Sequence, residues 1–161
     1  MSIPMTLKLF GFDIKLSDYC WNGWYSILND DETNTGVVDA AVFFKENMWN
    51  EITIPNINQK FVCVSFQQKK RLNLGRGGAI LTDDYESYKI LKRLVYDGRN
   101  PKICDSEEIS KNPNDILTGF HAYMEPEKAA RGITIINQPI IMPKFKEITY
   151  LDYPDLGVLF E

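Results

Sequence analysis

Ser65-Phe66-Gln67-Gln68-Lys69-Lys70-Arg71-Leu72-Asn73-Leu74-Gly75-Arg76-Gly77-Gly78-Ala79-Ile80-Leu81-Thr82-Asp83-Asp84 is the most informative stretch of the chain. It opens at the end of residues 61–66, Phe-Val-Cys-Val-Ser-Phe, whose β-branched and aromatic side chains predict a strand. Gly75, Gly77 and Gly78 interrupt the chain before a second short apolar run, residues 79–82, which predicts another strand. Asp83 or Asp84 can then cap a helix with Tyr88, Leu91, Leu94 and Val95 on one face. Lys89, Lys92 and Arg93 fall on its solvated face. A strand thus delivers a hydroxyl, a lysine follows five residues later, and a glycine-rich turn feeds an adjacent strand.

A lysine amine held beside a small hydroxyl and flexible backbone can form an imine with an aldehyde cofactor. The Ser65 hydroxyl and nearby backbone N–H groups could then hold a phosphate. The plainer reading is a surface Lys-Lys-Arg run at a strand end, followed by a tight turn. Residues 75–78 are not a P-loop, because the Gly-Lys-Ser/Thr ending is missing.

Upstream, residues 36–41 (Gly-Val-Val-Asp-Ala-Ala) predict a buried strand ending in an acid. Asp39, followed by two small residues, could sit beneath a flat ring and keep a pyridine nitrogen protonated, making the ring an electron sink. A strand-terminal Asp bonded to loop backbone is the alternative. Residues 29–36 are a polar turn, and residues 7–16, apolar around Gly11, predict one or two short strands. Residues 97–117 are polar and loop-like, a second helix is expected from Pro126 through Ile136, and the tail from Pro139 is extended and irregular. Strands alternating with helices make the class α/β.

Bulk properties set outer limits. The 161 residues suit one domain, and a charge of −4 argues against a nucleic-acid partner, which needs a concentrated basic face. Three scattered cysteines and a single histidine, His121, form neither a disulfide framework nor a zinc site. No metal is expected. Without an apolar run of about 18 residues or a signal-peptide core, the chain is expected to be cytoplasmic.

Taken together, Asp39-Ala40-Ala41, Ser65-Phe66-Gln67, Lys70, Gly75-Arg76-Gly77-Gly78 and Thr82-Asp83 resemble, in register and order, the motifs of the DegT-type sugar aminotransferases. Those enzymes are pyridoxal-phosphate-dependent and of fold-type I. Gly119-Phe120-His121-Ala122-Tyr123-Met124 and Ala129-Ala130-Arg131-Gly132 are similar to the family's later Gly-Tyr-Asn-x-x-Met and Ala-Ala-x-Gly segments. The resemblance covers residues 37–136, and more loosely 3–18. It implies a partial fold-type I large domain over residues 1–138, with a mixed, mostly parallel sheet and flanking helices, and residues 139–161 as a tail. It implies pyridoxal 5'-phosphate as cofactor, Lys70 as the lysine bonded to its aldehyde and as proton carrier, Asp39 against the pyridine nitrogen, and Ser65 on the phosphate. Gln67 stands at a cofactor-binding position where the family has His. His121 takes the place of an Asn that reaches the phosphate in the neighbouring subunit. Substrates would be a keto-sugar nucleotide and an amino donor, in the biosynthesis of polysaccharides or surface sugars.

Departures accompany the match. Arg76 replaces a Glu, and Val42 stands where a polar group meets the cofactor's phenolic oxygen. The family's early Gly-Thr/Ser-Ala phosphate cup has no counterpart, which suggests a truncated or compact member, a split subunit or a degenerate one. Self-association as a homodimer, or a complementary chain, is therefore expected, with Trp21, Trp24, Tyr25, Phe43, Phe44 and Trp49 available for contact. The same aromatics could simply pack a small core. A non-catalytic interaction module is the alternative function. A dehydratase is a weaker third reading, because that branch has His where this chain has Lys70.

Overall fold

A computed structural model describes residues 2–17, 22–58, 60–102 and 116–138. The elements run α1 (Ser2–Leu9), β1 (Tyr25–Leu28), β2 (Asn34–Asp39), α2 (Met48–Glu51), β3 (Phe61–Ser65), β4 (Gly78–Leu81), α3 (Tyr85–Leu94) and α4 (Pro126–Ile136). The expected tail, Trp21 and most of the expected 97–117 loop lie outside the described residues.

Four strands form one sheet in the order β1-β2-β3-β4. It is mixed, as expected, but not mostly parallel: only β2 and β3 run parallel, while β1–β2 and β3–β4 are antiparallel. Connection length decides this. The polar turn of residues 29–33, where Asn29 N–H donates to the Thr33 carbonyl at 2.9 Å, can only return the chain alongside itself. From β2 to β3 the chain instead has residues 40–60, long enough for a crossover that includes α2.

Alternation along the strands separates two faces. Val38, Val62 and Val64 turn to a core completed by Ala40, Met48, Ile52, Phe66, Leu72 and Leu74. Trp24, Phe43, Phe44 and Trp49 pack partly buried against it, so these four aromatics serve the core. Tyr25, Val37, Asp39, Phe61, Cys63, Ser65 and Ile80 occupy the opposite face, where none is fully buried. Lys60 seals the crossover: its Nζ donates to the carbonyls of Trp49 (2.6 Å) and Ile52 (2.7 Å) while lying over the Trp49 ring. A cation is favourable there because the last carbonyls of a helical turn lack partners.

Residues 7–16 contain no strand. Ser2–Leu9 is helical, and Gly11, at φ +83°, ends α1. The Phe12 N–H donates to the Leu7 carbonyl and the Gly11 N–H to the Lys8 carbonyl, the paired bonds of a Schellman cap. Gly11 therefore acts as a helix stop and not as a break between strands. Downstream, Asp84 caps α3 as expected, its carboxylate accepting from the Ser87 N–H at 2.9 Å. On α3 Leu91, Leu94 and Val95 are half-buried, whereas Tyr88 is exposed and Arg93, expected outside, is half-buried. Pro126 opens α4 at the first turn.

Candidate functional site

Because β2 and β3 are parallel neighbours, their C-terminal ends lie side by side. Asp39 is the last residue of β2, and Ser65 is the last of β3. Asp39 pairs in register with Cys63, so Asp39, Cys63 and, two residues on, Ser65 share the less covered face. The crevice beyond the carboxyl ends of parallel strands is where α/β sheets commonly hold ligands.

The lysine loop leaves this same end. Phe66 N–H donates to the Gly77 carbonyl, Leu74 N–H to that of Phe66, and Gln68 N–H to that of Gly75, so residues 66–77 close back on themselves. Lys70 sits in the turn at the tip, its N–H donating to the Gln67 carbonyl at 2.8 Å. Phe66, Leu72 and Leu74 are buried, and Phe66 meets Phe44 edge-to-face. Burying side chains of this size contributes about 1.5–3 kcal/mol each, enough to hold a polar loop in one shape. Helix α4 closes the other side. Gly132 lies against Leu74, 3.0 Å from where a Cβ would stand, and Met124 approaches Gly77 equally closely. Gly132 of the later segment and Gly77 of the loop thus let the two touch. Gly78 has no room for a side chain at all, since a Cβ there collides with the Val64 carbonyl.

Asp39 is half-buried and anchored. Its Oδ1 accepts from the Ala41 N–H at 2.8 Å, the loop-backbone bond that was the alternative for a strand-terminal Asp. On β1, Tyr25 stands directly opposite Asp39 across the antiparallel pair. Burial first, then the charge and hydrogen-bonding pull of the Asp39 carboxylate, push the Tyr25 phenol well above its ordinary range. On β3, burial and the same charge raise the Cys63 thiol. Asp39 is thus a carboxylate between two neutral acids. An ionised carboxylate offers about four acceptor sites, so capacity for a ring N–H remains.

Ser65 Oγ accepts a long bond, 3.4 Å, from the Gln67 N–H, and the Gln67 Oε1 accepts from the Lys69 N–H at 2.9 Å. Lys70 is half-buried, and among the described residues no carboxylate forms an ion pair with it. An acid and a hydroxyl at one strand-end edge, with a loop leaving it that carries an amine, are the donor types that pyridoxal phosphate needs. His121 is not part of this group. It is well exposed, bridges to Tyr96, and places Nδ1 3.1 Å from the Asp97 carboxylate, which also holds Arg99. Those two bonds, Arg99 first, hold the Asp97 carboxyl below the usual range.

Tyr25 and Cys63 were not among the residues expected at the site. Cys63 is legible from strand period, two residues before Ser65. Tyr25 becomes legible only once β1 and β2 are paired through the 29–33 turn. The cleft lined by Trp49, Ile54, Ile57, Lys60 and Asp83 includes none of the expected cofactor residues.

No curated protein and no solved structure matches the chain. A family profile does match, over residues 48–138, a span that contains Ser65, Gln67, Lys70 and His121 and begins after Asp39. With more than half of its length matched in this way, the chain belongs to the DegT/DnrJ/EryC1/StrS aminotransferase family.

Proposed function

We propose that this chain is a pyridoxal-phosphate-dependent aminotransferase-like protein acting on a keto-sugar nucleotide. The observation that carries the reading is the shared strand-end edge of Asp39 and Ser65, with the Lys70 loop leaving the same edge. Pyridoxal phosphate, when bound, supplies an aldehyde for an amine to condense with and a pyridinium ring that withdraws electrons. Lys70 would be the amine held at that aldehyde and the group that moves a proton at the reacting carbon. Asp39 keeps the proton on the ring nitrogen, and the Ser65 hydroxyl donates to the phosphate. The Gln67 amide, with its Oε1 tied to the Lys69 N–H, keeps its NH2 for the same pocket. His121 reaches out from the Asp97 loop, suited to a neighbouring subunit, and the partner proposed is a second copy or a complementary chain. Residues 1–138 act as one large-domain unit in this reading.

The test is borohydride reduction after adding pyridoxal phosphate, with the adduct mapped by mass spectrometry. An adduct on Lys70, absent in Lys70→Ala and retained in Lys69→Ala, supports the assignment. An adduct of equal yield in Lys70→Ala removes it. The less covered sheet face, with Tyr25 37% and Ile80 46% exposed, favours a second reading as a binding module. That reading gains if the parent chain gives no adduct yet self-associates in light scattering.

A further inference from the structure

The carboxylate of Asp39 has one backbone anchor, the Ala41 N–H on Oδ1. One donor on one oxygen fixes where that atom lies but leaves the plane of the group free to turn about it. The sheet supplies a second restraint from the neighbouring strand. Tyr25 and Asp39 are cross-strand partners, and the irregularity in the β1–β2 ladder begins only after the next pair, Ser26 with Val38. Directly opposite residues keep their Cβ atoms about 5 Å apart on one face, so the phenol can lean onto the carboxylate.

We propose that Tyr25 is the positioning residue of Asp39, its hydroxyl holding the carboxylate from β1 while Ala41 holds it from its own strand end. The chemistry of the donor matters. A Lys or Arg in this place would neutralise Asp39 and weaken its hold on a ring N–H⁺. A phenol donates a hydrogen bond and stays uncharged, so orientation is gained without loss of the negative charge. The titratable groups beside Asp39 on the flanking strands are Tyr25 and Cys63, and burial and the Asp39 charge favour the protonated form of both. The role of Tyr25 toward a cofactor rests on the aminotransferase reading; the bond proposed between the two side chains rests on their cross-strand pairing alone.

Two measurements separate those levels. The first labels tyrosine at ζ-¹³C and compares the parent chain with Asp39→Asn at about pH 11, above the ordinary phenol value of about 10. Tyr25→Phe assigns the signal, and circular dichroism at the same pH verifies folding. The phenolate fraction of Tyr25 is expected to rise at least about twofold in Asp39→Asn; an equal fraction in both chains overturns the proposal. The second measures pyridoxal phosphate affinity in the parent and in Tyr25→Phe, which keeps the ring and loses only the hydroxyl. Binding about tenfold weaker is expected, as for a lost hydrogen bond to a charged group. A changed phenolate fraction with unchanged affinity overturns the positioning role. If the parent binds no cofactor, the aminotransferase reading falls, and the first measurement alone decides whether Tyr25 holds Asp39.

Discussion

The two faces of the sheet use the same strands for opposite purposes. On one, Val38, Val62 and Val64 meet Ile52, Leu72 and Leu74 in a core from which solvent is nearly excluded. On the other, one residue along each strand, Tyr25, Asp39, Cys63 and Ile80 form a single row across all four strands. That row carries a charge, two neutral acids and an exposed aliphatic. A one-residue change of register would exchange the two sets, so the apolar packing that stabilises the sheet also determines which side Asp39 faces. The lysine loop joins these roles, since Leu72 and Leu74 sit in the core while Lys70, between them and the strand, does not.

This contrast is broken most forcefully from the core side. Leu72→Ala, at a side chain 1% exposed, is expected to lose about 2–5 kcal/mol in urea unfolding, as buried leucines do. Ile80→Thr on the other face should change stability by less than about 1 kcal/mol. Equal losses would mean that the second face is covered in solution. Gly78→Ala comes next. Its Cβ meets the Val64 carbonyl, so β3 and β4 must part locally, at a cost of about 1–3 kcal/mol. An Ala variant as stable as the parent would show that the β3–β4 pairing is looser than described.

Much of this was legible in the sequence where one segment decides its own structure. The β-branched and aromatic run of residues 61–66, the glycines before β4, the Asp84 cap and Pro126 at the start of α4 each act within a few residues. Gly11 was legible too, but its signal was ambiguous: an apolar run around a glycine suits a broken strand as well as a capped helix. What could not be read locally depends on distant partners. The antiparallel placing of β1 brings Tyr25 to Asp39, and His121 turns to Asp97, 24 residues away. Both follow from tertiary pairing that no single window of sequence contains. Even the glycine of the Ala-Ala-x-Gly segment has its reason elsewhere, in the Leu74 side chain against which Gly132 lies.

The smallest expected effect is also the one most specific to the row of Asp39. A phenol whose folded value is raised stays protonated in the native chain after the unfolded chain has begun to lose the proton. In that window the native state binds more protons than the unfolded one, so stability falls as pH rises, from about pH 10 upward. One proton sets an upper limit of about 1.4 kcal/mol per pH unit, and exposure of more than a third of Tyr25 to solvent reduces it. Tyr25→Phe has no proton to lose at this position. Its unfolding free energy, followed in urea between about pH 9 and 11, should therefore fall less steeply than the parent's, with the two slopes alike below the window. Parallel slopes throughout would mean that the phenol ionises as readily in the fold as out of it, and the row would then lose its restraint on Asp39 from β1.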